Sequence, residues 1–323
     1  MAEPGLGPGR NCPLDYRYGA GALGAAEPGF EAETLYVAGG LYGNIEALCA
    51  LEGLVASEPG AKLVFNGDFH WFDAEPALFR EVNRRVLDHA ATRGNVETEI
   101  AQPGEGAGCG CGYPEWVADE DVLRSNRIME RLRQAATGDP ALCTSLASLP
   151  MYMVARVGGE RIVIVHGDAD SLAGWGFSQE VLAMPEGLQA AGRAAGRARA
   201  RVIASSHSCL PVIQALQAGP GECVLANNGA TGMPNFRGTR FGVVTRISVR
   251  PPGPARQALH GLRAGPLHVH AVPVHYDAAA WEHRFLALWP AGSAAHQSYF
   301  RRMSDGPAYT PDRALRRLEL STA

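Results

Sequence analysis

No stretch of this 323-residue chain is apolar for long enough to cross a bilayer. Its opening residues, MAEPGLGPGRNCPLD, lack the basic segment and apolar run of an export signal. The expectation is a soluble, unexported protein. Strong charge of one sign is also missing: the formal net charge is -4, so no global basic field argues for wrapping nucleic acid or coating an anionic membrane. The expected partner is a small molecule. Cysteine is sparse and odd in number, seven in all, which excludes the disulfide framework of a small secreted domain and fits reduced thiols in the cytoplasm. What is plentiful is alanine, glycine, proline and arginine. Because alanine appears in every kind of segment, propensity says little here, and periodicity and short motifs carry the reading.

With 46% hydrophobic residues the chain can bury a large core. Residues 1–30 are rich in glycine and proline and read as an irregular arm. Residues 31–323 read as a single domain with a loop inserted at 101–121 and a helical extension at the C-terminus. TLYVA (34–38) is a buried strand, followed by a turn and a helix at IEALCALEGLVA. AKLVFNGD repeats the arrangement, and its helix, PALFREVNRRVLDHAAT, sets Leu78, Val82 and Leu87 opposite its charges. Further strands fall at MYMVARV, ERIVIVHGD, ARVIASSHS, VLANNGATG and FGVVTRISVR. A helix is expected near LRSNRIMERLRQAA and another from Asp277, with a loop and a short helix after Pro290. Strands alternating with helices indicate an α/β core.

The informative residues stand at strand ends: Asp68 in FNGD, Asn95 in RGN, His166 in VIVHGD and His207 in SSHS. In open α/β sheets ligands bind beyond the carboxyl ends of strands, so four such ends can converge on one site. A carboxylate, an amide oxygen and two imidazoles form a mixed nitrogen and oxygen set suited to zinc, manganese or iron rather than calcium or magnesium. Taken singly, each has another explanation: Asp68 could cap a turn, Asn95 could sit in a left-handed conformation, and the histidines could be core residues. Their order, and Gly67 and Gly94 beside them, favour a site.

The blocks GLYGN, NGD, RGNVE, VHGD and SHSC, in that order between Leu35 and Ile247, resemble the calcineurin-like metallophosphoesterases, whose pattern runs D-x-H, G-D, G-N-H-D/E, H and G-H-x-H. The resemblance implies a four-layer α/β/β/α sandwich, two mixed β-sheets flanked by helices, with the site at the strand ends. It implies a metal held by Asp68, Asn95, His166 and His207. It also marks departures. Where the family's other metal takes D-x-H and the last histidine of G-H-x-H, this chain has Gly40, Tyr42 and Cys209, and Val96 replaces the G-N-H histidine. Cys209, Tyr42 as phenolate, or His70 swinging in could rebuild that place; the other readings are Cys209 as a small buried apolar residue, Tyr42 as a plug filling the empty place and His70 as a surface or substrate contact.

The resulting expectation is a metal-dependent phosphoesterase acting on a small phosphorylated substrate. Its cofactor is a divalent or trivalent transition metal (manganese, iron or zinc), one ion with a second allowed. Asn95 and Arg93 would orient the phosphate and Asp168 would position water or substrate. The rival is a non-catalytic descendant that binds a metal or a phosphorylated ligand. Cys109 and Cys111, spaced C-x-C, suggest a lid loop, with a thiol redox pair as the other reading. His268 and His270 alternate on one face of a half-exposed edge strand.

Overall fold

The computed structural model describes residues 7–10, 12–102, 106–219, 221–254 and 256–317. In chain order the first elements are α1 (Gly19–Ala25), β1 (Phe30–Ala32), β2 (Thr34–Ala38), α2 (Ile45–Ala56), β3 (Ala61–Asn66), α3 (Pro76–Leu87) and β4 (Ala90–Thr92). The middle of the chain contributes α4 (Asn95–Ala101), α5 (Asp119–Ala136), α6 (Pro140–Ser148), β5 (Tyr152–Val157), β6 (Glu160–Val165), α7 (Pro185–Arg197) and β7 (Val202–Ser205). Last come β8 (Val212–Ala218), β9 (Gly221–Asn227), β10 (Gly242–Ser248), β11 (His260–Ala264), β12 (Leu267–Val274), α8 (Ala278–Leu288), α9 (Ala294–Asp305) and β13 (Leu315–Arg316).

The strands form two mixed sheets. One runs β11-β12-β10-β2-β3-β4, with β2, β3 and β4 parallel and β10 antiparallel to both its neighbours. The other runs β1-β5-β6-β7-β9-β8-β13, with β6, β7 and β9 parallel at its centre. Strand residues alternate between two buried faces, which is why these strands read as unbroken apolar runs rather than as apolar and polar in turn. In β2, Leu35 and Val37 face the opposite sheet while Tyr36 and Ala38 face helices; in β6, Ile162 and Ile164 face inward while Val163 and Val165 lie under α7. The core between the sheets joins Leu35, Val37 and Val64 to Ile162, Ile164 and Val202. An outer layer containing α2, α3 and α5 covers the first sheet, and α1 and α7 cover the second. This is the expected four-layer α/β/β/α arrangement.

Several boundaries differ from expectation. The arm at 1–30, outside residues 1–6 and 11, which lie beyond the described residues, is not irregular: it contains α1 and edge strand β1. Apolar contact overrides its glycine content, since Ala20 and Leu23 pack with Val163 and Ala195 under α7. The helix expected to run through Thr92 stops at Leu87, and Ala90–Thr92 instead pairs with β3 as β4. The short helices α4 and α6 carry too little periodicity to be read from sequence. His268 and His270 do share a face, stacked 5.9 Å apart, but β12 is flanked by β10 and β11 and is not an edge.

One ion pair ties the first sheet to its helical layer. Arg246 on β10, only 1% exposed, meets the Glu58 carboxylate through Nη2 at 2.5 Å and Nε at 3.0 Å. Tyr36 adds a 2.6 Å hydrogen bond to the same carboxylate. The Arg246 bonds, outweighing burial and helped by Tyr36, hold Glu58 down at about 2, from an ordinary 4.5. A depressed carboxylate contributes stability that is complete above its unfolded pKa and disappears as pH falls through the folded one. Glu58→Gln should therefore lower stability at neutral pH by roughly 2–3 kcal/mol, less than a fully buried pair because the carboxylate is partly exposed. In denaturant titrations the wild-type advantage should shrink between pH 4.5 and about 2. An unchanged gap across that window would contradict the assignment.

Candidate metal centre

The parallel strands of both sheets end on the same side of the sandwich. Asp68 follows β3, Asn95 follows β4 at the start of α4, His166 follows β6 and His207 follows β7. Two ligand positions thus come from each sheet, and Asn66 stitches the sheets together beneath them. Its Nδ2 donates to the Val165 carbonyl at 2.9 Å, and its Oδ1 accepts from Ser206 Oγ at 2.8 Å.

The chain at Asp68 is held in an unusual turn. Gly67 has φ 81° and Asp68 has φ 51°, and a Cβ at Gly67 would lie 2.6 Å from both Gly94 N and His166 Nδ1. Only glycine fits there. The turn is fastened by Glu97 of α4, fully buried, whose carboxylate accepts from the backbone N–H groups of Asp68 (2.8 Å), Phe69 (3.0 Å), His70 (3.2 Å) and Gly94 (2.8 Å). Burial and the neighbouring Asp68 carboxylate push Glu97 upward; the four donors and the charge on His70 oppose them.

Each of the four side chains has its outer polar atom committed, which fixes what the inner atom can be. His166 Nδ1 donates to the Asn66 carbonyl at 2.9 Å, leaving Nε2 facing inward. His207 Nε2 donates to the Cys111 carbonyl at 2.9 Å, leaving Nδ1 inward. Asn95 Nδ2 donates to the Cys109 carbonyl at 2.9 Å, so Oδ1 faces inward, and Asp68 Oδ1 takes Val96 N–H at 3.1 Å, leaving Oδ2. Around His166 Nε2, the other three inner atoms stand at 3.1 Å (His207), 3.2 Å (Asn95) and 3.3 Å (Asp68). These buried inner atoms share one cation, either a proton on His166 Nε2 or a metal ion in its place. The donor set fits a transition-metal ion, and Asp68, His166 and His207 form the one metal-competent group of three or more His, Cys, Asp or Glu among the described residues.

Electrostatics agree. Burial, with His166 beside it, lowers His207 to about 3, so its imidazole is neutral and free to ligate. For Asp68, burial raises the pKa but His166 and His207 lower it further, and the net shift is downward. His166 is the converse: burial lowers it, and Asp68 more than restores it.

The other sequence-predicted residues separate into two groups. Tyr42 and Cys209 line the same small cavity of about 40 Å³ as Asp68, Asn95 and His207. Their polar atoms face each other, Oη to Sγ at 2.8 Å, and Cys209 does not join the metal-competent group. His70 points away: its Nδ1 lies 2.6 Å from Asp73 and its Nε2 3.4 Å from Asn83, and the ring stacks on Phe79 at 3.8 Å. Burial lowers its pKa, and Asp73, Glu97 and the bond with Asn83 together more than offset that, so the net shift is upward. Arg93 reaches the Ala147 carbonyl at 2.7 Å instead of the site. Asp168 accepts from the N–H groups of Asp170, Ser171 and Gly176, and thereby shapes the loop that carries Trp175. Neither Arg93 nor Asp168 lines the cavity, because local backbone groups claim both side chains.

The expected lid is present as a packed cover. Glycines 106, 108, 110 and 112 all have positive φ, alternating with Ala107, Cys109 and Cys111. The carbonyls of Cys109 and Cys111 meet Asn95 and His207, and Trp175 Nε1 also donates to the Cys111 carbonyl at 2.9 Å. Both thiols are buried, free and not disulfide-linked, and burial drives the Cys111 pKa well up, opposite to a reactive thiol. Trp71, Tyr113, Trp175, Tyr299 and Val96 complete the cavity wall. Residues 103–105 of the inserted loop lie outside those described. Sequence reading missed Glu97, although it ends the RGNVE block, and missed Asn66 and Trp175, whose roles depend on contacts distant in sequence.

No protein-family model and no curated protein matches the sequence. Among solved structures, a hypothetical protein from Pyrococcus horikoshii OT3 superposes with a TM-score of 0.59 at 17% identity, covering 85% of this chain and 99% of that one. A metallophosphoesterase from Sphaerobacter thermophilus gives 0.52 at 16% identity, covering 85% and 100%. With two mixed sheets between helical layers and the ligand positions at their strand ends, the chain has the calcineurin-like metallophosphoesterase fold.

Proposed function

We propose that this protein works with a single transition-metal ion held by Asp68, Asn95, His166 and His207, and that it hydrolyses a small phosphoester slowly. The convergence of four inward-facing acceptor atoms, each oriented by a bond on its outer side, supports this reading above all. A metal ion in such a site lowers the pKa of water and polarises a phosphoryl oxygen. The chain's own contribution is to set those donors in place. Glu97 locks the Asp68 turn, Asn66 and the Cys111 carbonyl fix the two imidazole tautomers, and the aromatic wall limits water around the ligands.

What the chain withholds narrows the chemistry. Val96 stands where a leaving-group acid would be expected, and the cavity wall contains no arginine or lysine to hold a phosphate. Esters whose leaving group departs without a proton, such as aryl phosphates, should therefore be the favoured substrates. A second reading, a non-catalytic metal-binding protein, is favoured by the Tyr42–Cys209 contact in the same cavity. It shares the metal and lacks the turnover.

Metal analysis of protein purified without chelator should return one ion per chain, lost in Asp68→Asn. Two ions would show that the Tyr42 and Cys209 place also binds metal; none in the wild type would remove the metal reading. Glu97→Gln, which changes a carboxylate bonded to the Asp68 backbone and not to its side chain, should weaken metal affinity by about 10–100-fold, as loss of a group orienting a ligand does. Unchanged affinity there would mean the turn holds its shape without the carboxylate. Hydrolysis of a series of aryl phosphates should fall steeply as the leaving phenol becomes more basic. A flat series would reveal an acid that this geometry does not contain, and absence of metal-dependent turnover across the series would favour the non-catalytic reading.

A further inference from the structure

The Tyr42–Cys209 pair is too specifically built to be filler. Tyr42 Oη and Cys209 Sγ lie 2.8 Å apart and line the cavity that also exposes Asp68, Asn95 and His207. Four described residues other than glycine have positive φ, and three of them, Tyr42 (56°), Asp68 (51°) and Cys209 (61°), line this one cavity. Backbone strain of that kind persists where the surrounding structure enforces a particular side-chain placement. Gly40 makes room for it: a Cβ there would come within 2.8–2.9 Å of the Tyr42 ring and hydroxyl. The sulfur therefore meets the hydroxyl end of a phenol ring whose position is fixed.

The neighbouring donors are two histidines and a carboxylate, joined by an amide oxygen. Two histidines and one carboxylate are the protein donors of non-haem Fe(II) centres that react with dioxygen, and here Asn95 Oδ1 stands beside them. The remaining wall is aromatic and apolar, with no cationic side chain, and the cavity of about 40 Å³ has room for a molecule the size of dioxygen.

We infer that, with Fe(II) at Asp68, His166 and His207, dioxygen joins Cys209 to Tyr42 by a thioether bond. The S–H bond of Cys209 and the C–H bond of a ring carbon ortho to the Tyr42 hydroxyl break, and an S–C bond forms. The two electrons and two protons released pass to dioxygen, giving hydrogen peroxide. The product is a modified phenol fixed beside the metal ligands. This inference rests on the metal-binding reading above and is independent of phosphoester turnover.

The test uses the full chain, expressed without added iron, stripped by chelator, and then given ferrous iron under nitrogen or under air. Iron content, intact mass and thiol count are measured on each sample. The expected result is one bound iron in both samples. In air alone, the protein becomes lighter by two hydrogen atoms, loses one titratable thiol, and yields a single proteolytic fragment joining residues 42 and 209. Cys209→Ser and Tyr42→Phe should each keep the iron and show no such loss. Bound iron without a cross-link, or a mass gain of oxygen on Cys209 in its place, overturns the inference and leaves the metal reading standing. No bound iron overturns the inference, and the metal content of the protein as purified then decides the metal reading separately. A cross-link that also forms in the iron-free sample under air, or in Asp68→Asn, overturns the metal's part in it.

Discussion

A single carboxylate, that of Glu97, holds the site together. It accepts four backbone amides from two segments far apart in sequence, the turn after β3 and the start of α4, and so fixes both the Asp68 and the Asn95 ligand positions at once. Four backbone donors offset the cost of burying it. The Asp68 and Asn95 side chains are thus positioned from below by a group that does not line the cavity. The second sheet brings His166 and His207 to the same point through Asn66 and the cover loop. Loss of Glu97 would leave the strands in place and the chemistry without an address.

Much of this was legible in the residues. The apolar runs ending in Asp68, Asn95, His166 and His207 marked strands of both sheets and the four side chains that meet at their ends, because parallel strands buried on two faces advertise themselves and their ends converge. Failures came where a side chain had a nearer partner than the site. Arg93 looked like a phosphate clamp, but a helix carbonyl lies within its reach; Asp168 looked catalytic, but three amides of its own loop surround it. His70 looked available to a ligand position and is sandwiched between Asp73, Asn83 and Phe79. Pattern reading sees residue type and spacing, and these outcomes depend on which partner is closest in space. The same blindness hid the carbonyls of Cys109 and Cys111, since any residue type can supply a carbonyl.

The two halves of the cavity have separated in character. On one side the hydrogen-bonded outer atoms of four side chains preserve a polar, cation-demanding centre; on the other, a phenol and a thiol meet among aromatic rings. Tyr42 and Cys209 retain the left-handed backbone of a ligand-bearing turn while presenting groups that burial keeps protonated. The wall facing these side chains is aromatic and thiol-bearing and carries no cationic side chain.

The cover loop has a consequence for how freely this gene can vary. Four of the seven residues from 106 to 112 are glycines with left-handed backbone, and a Cβ at 106, 108 or 110 would fall within 2.3–2.5 Å of Glu99, Asn126 or Tyr16. Any change in the first or second base of those codons replaces glycine, and the new side chain meets both a forbidden torsion and an occupied space. The intervening residues carry the carbonyls that grip the metal ligands, and those do not depend on side-chain identity. Constraint along the strip therefore alternates in kind residue by residue: backbone torsion fixes glycine at the even positions, and burial limits Ala107, Cys109 and Cys111 between them to small side chains.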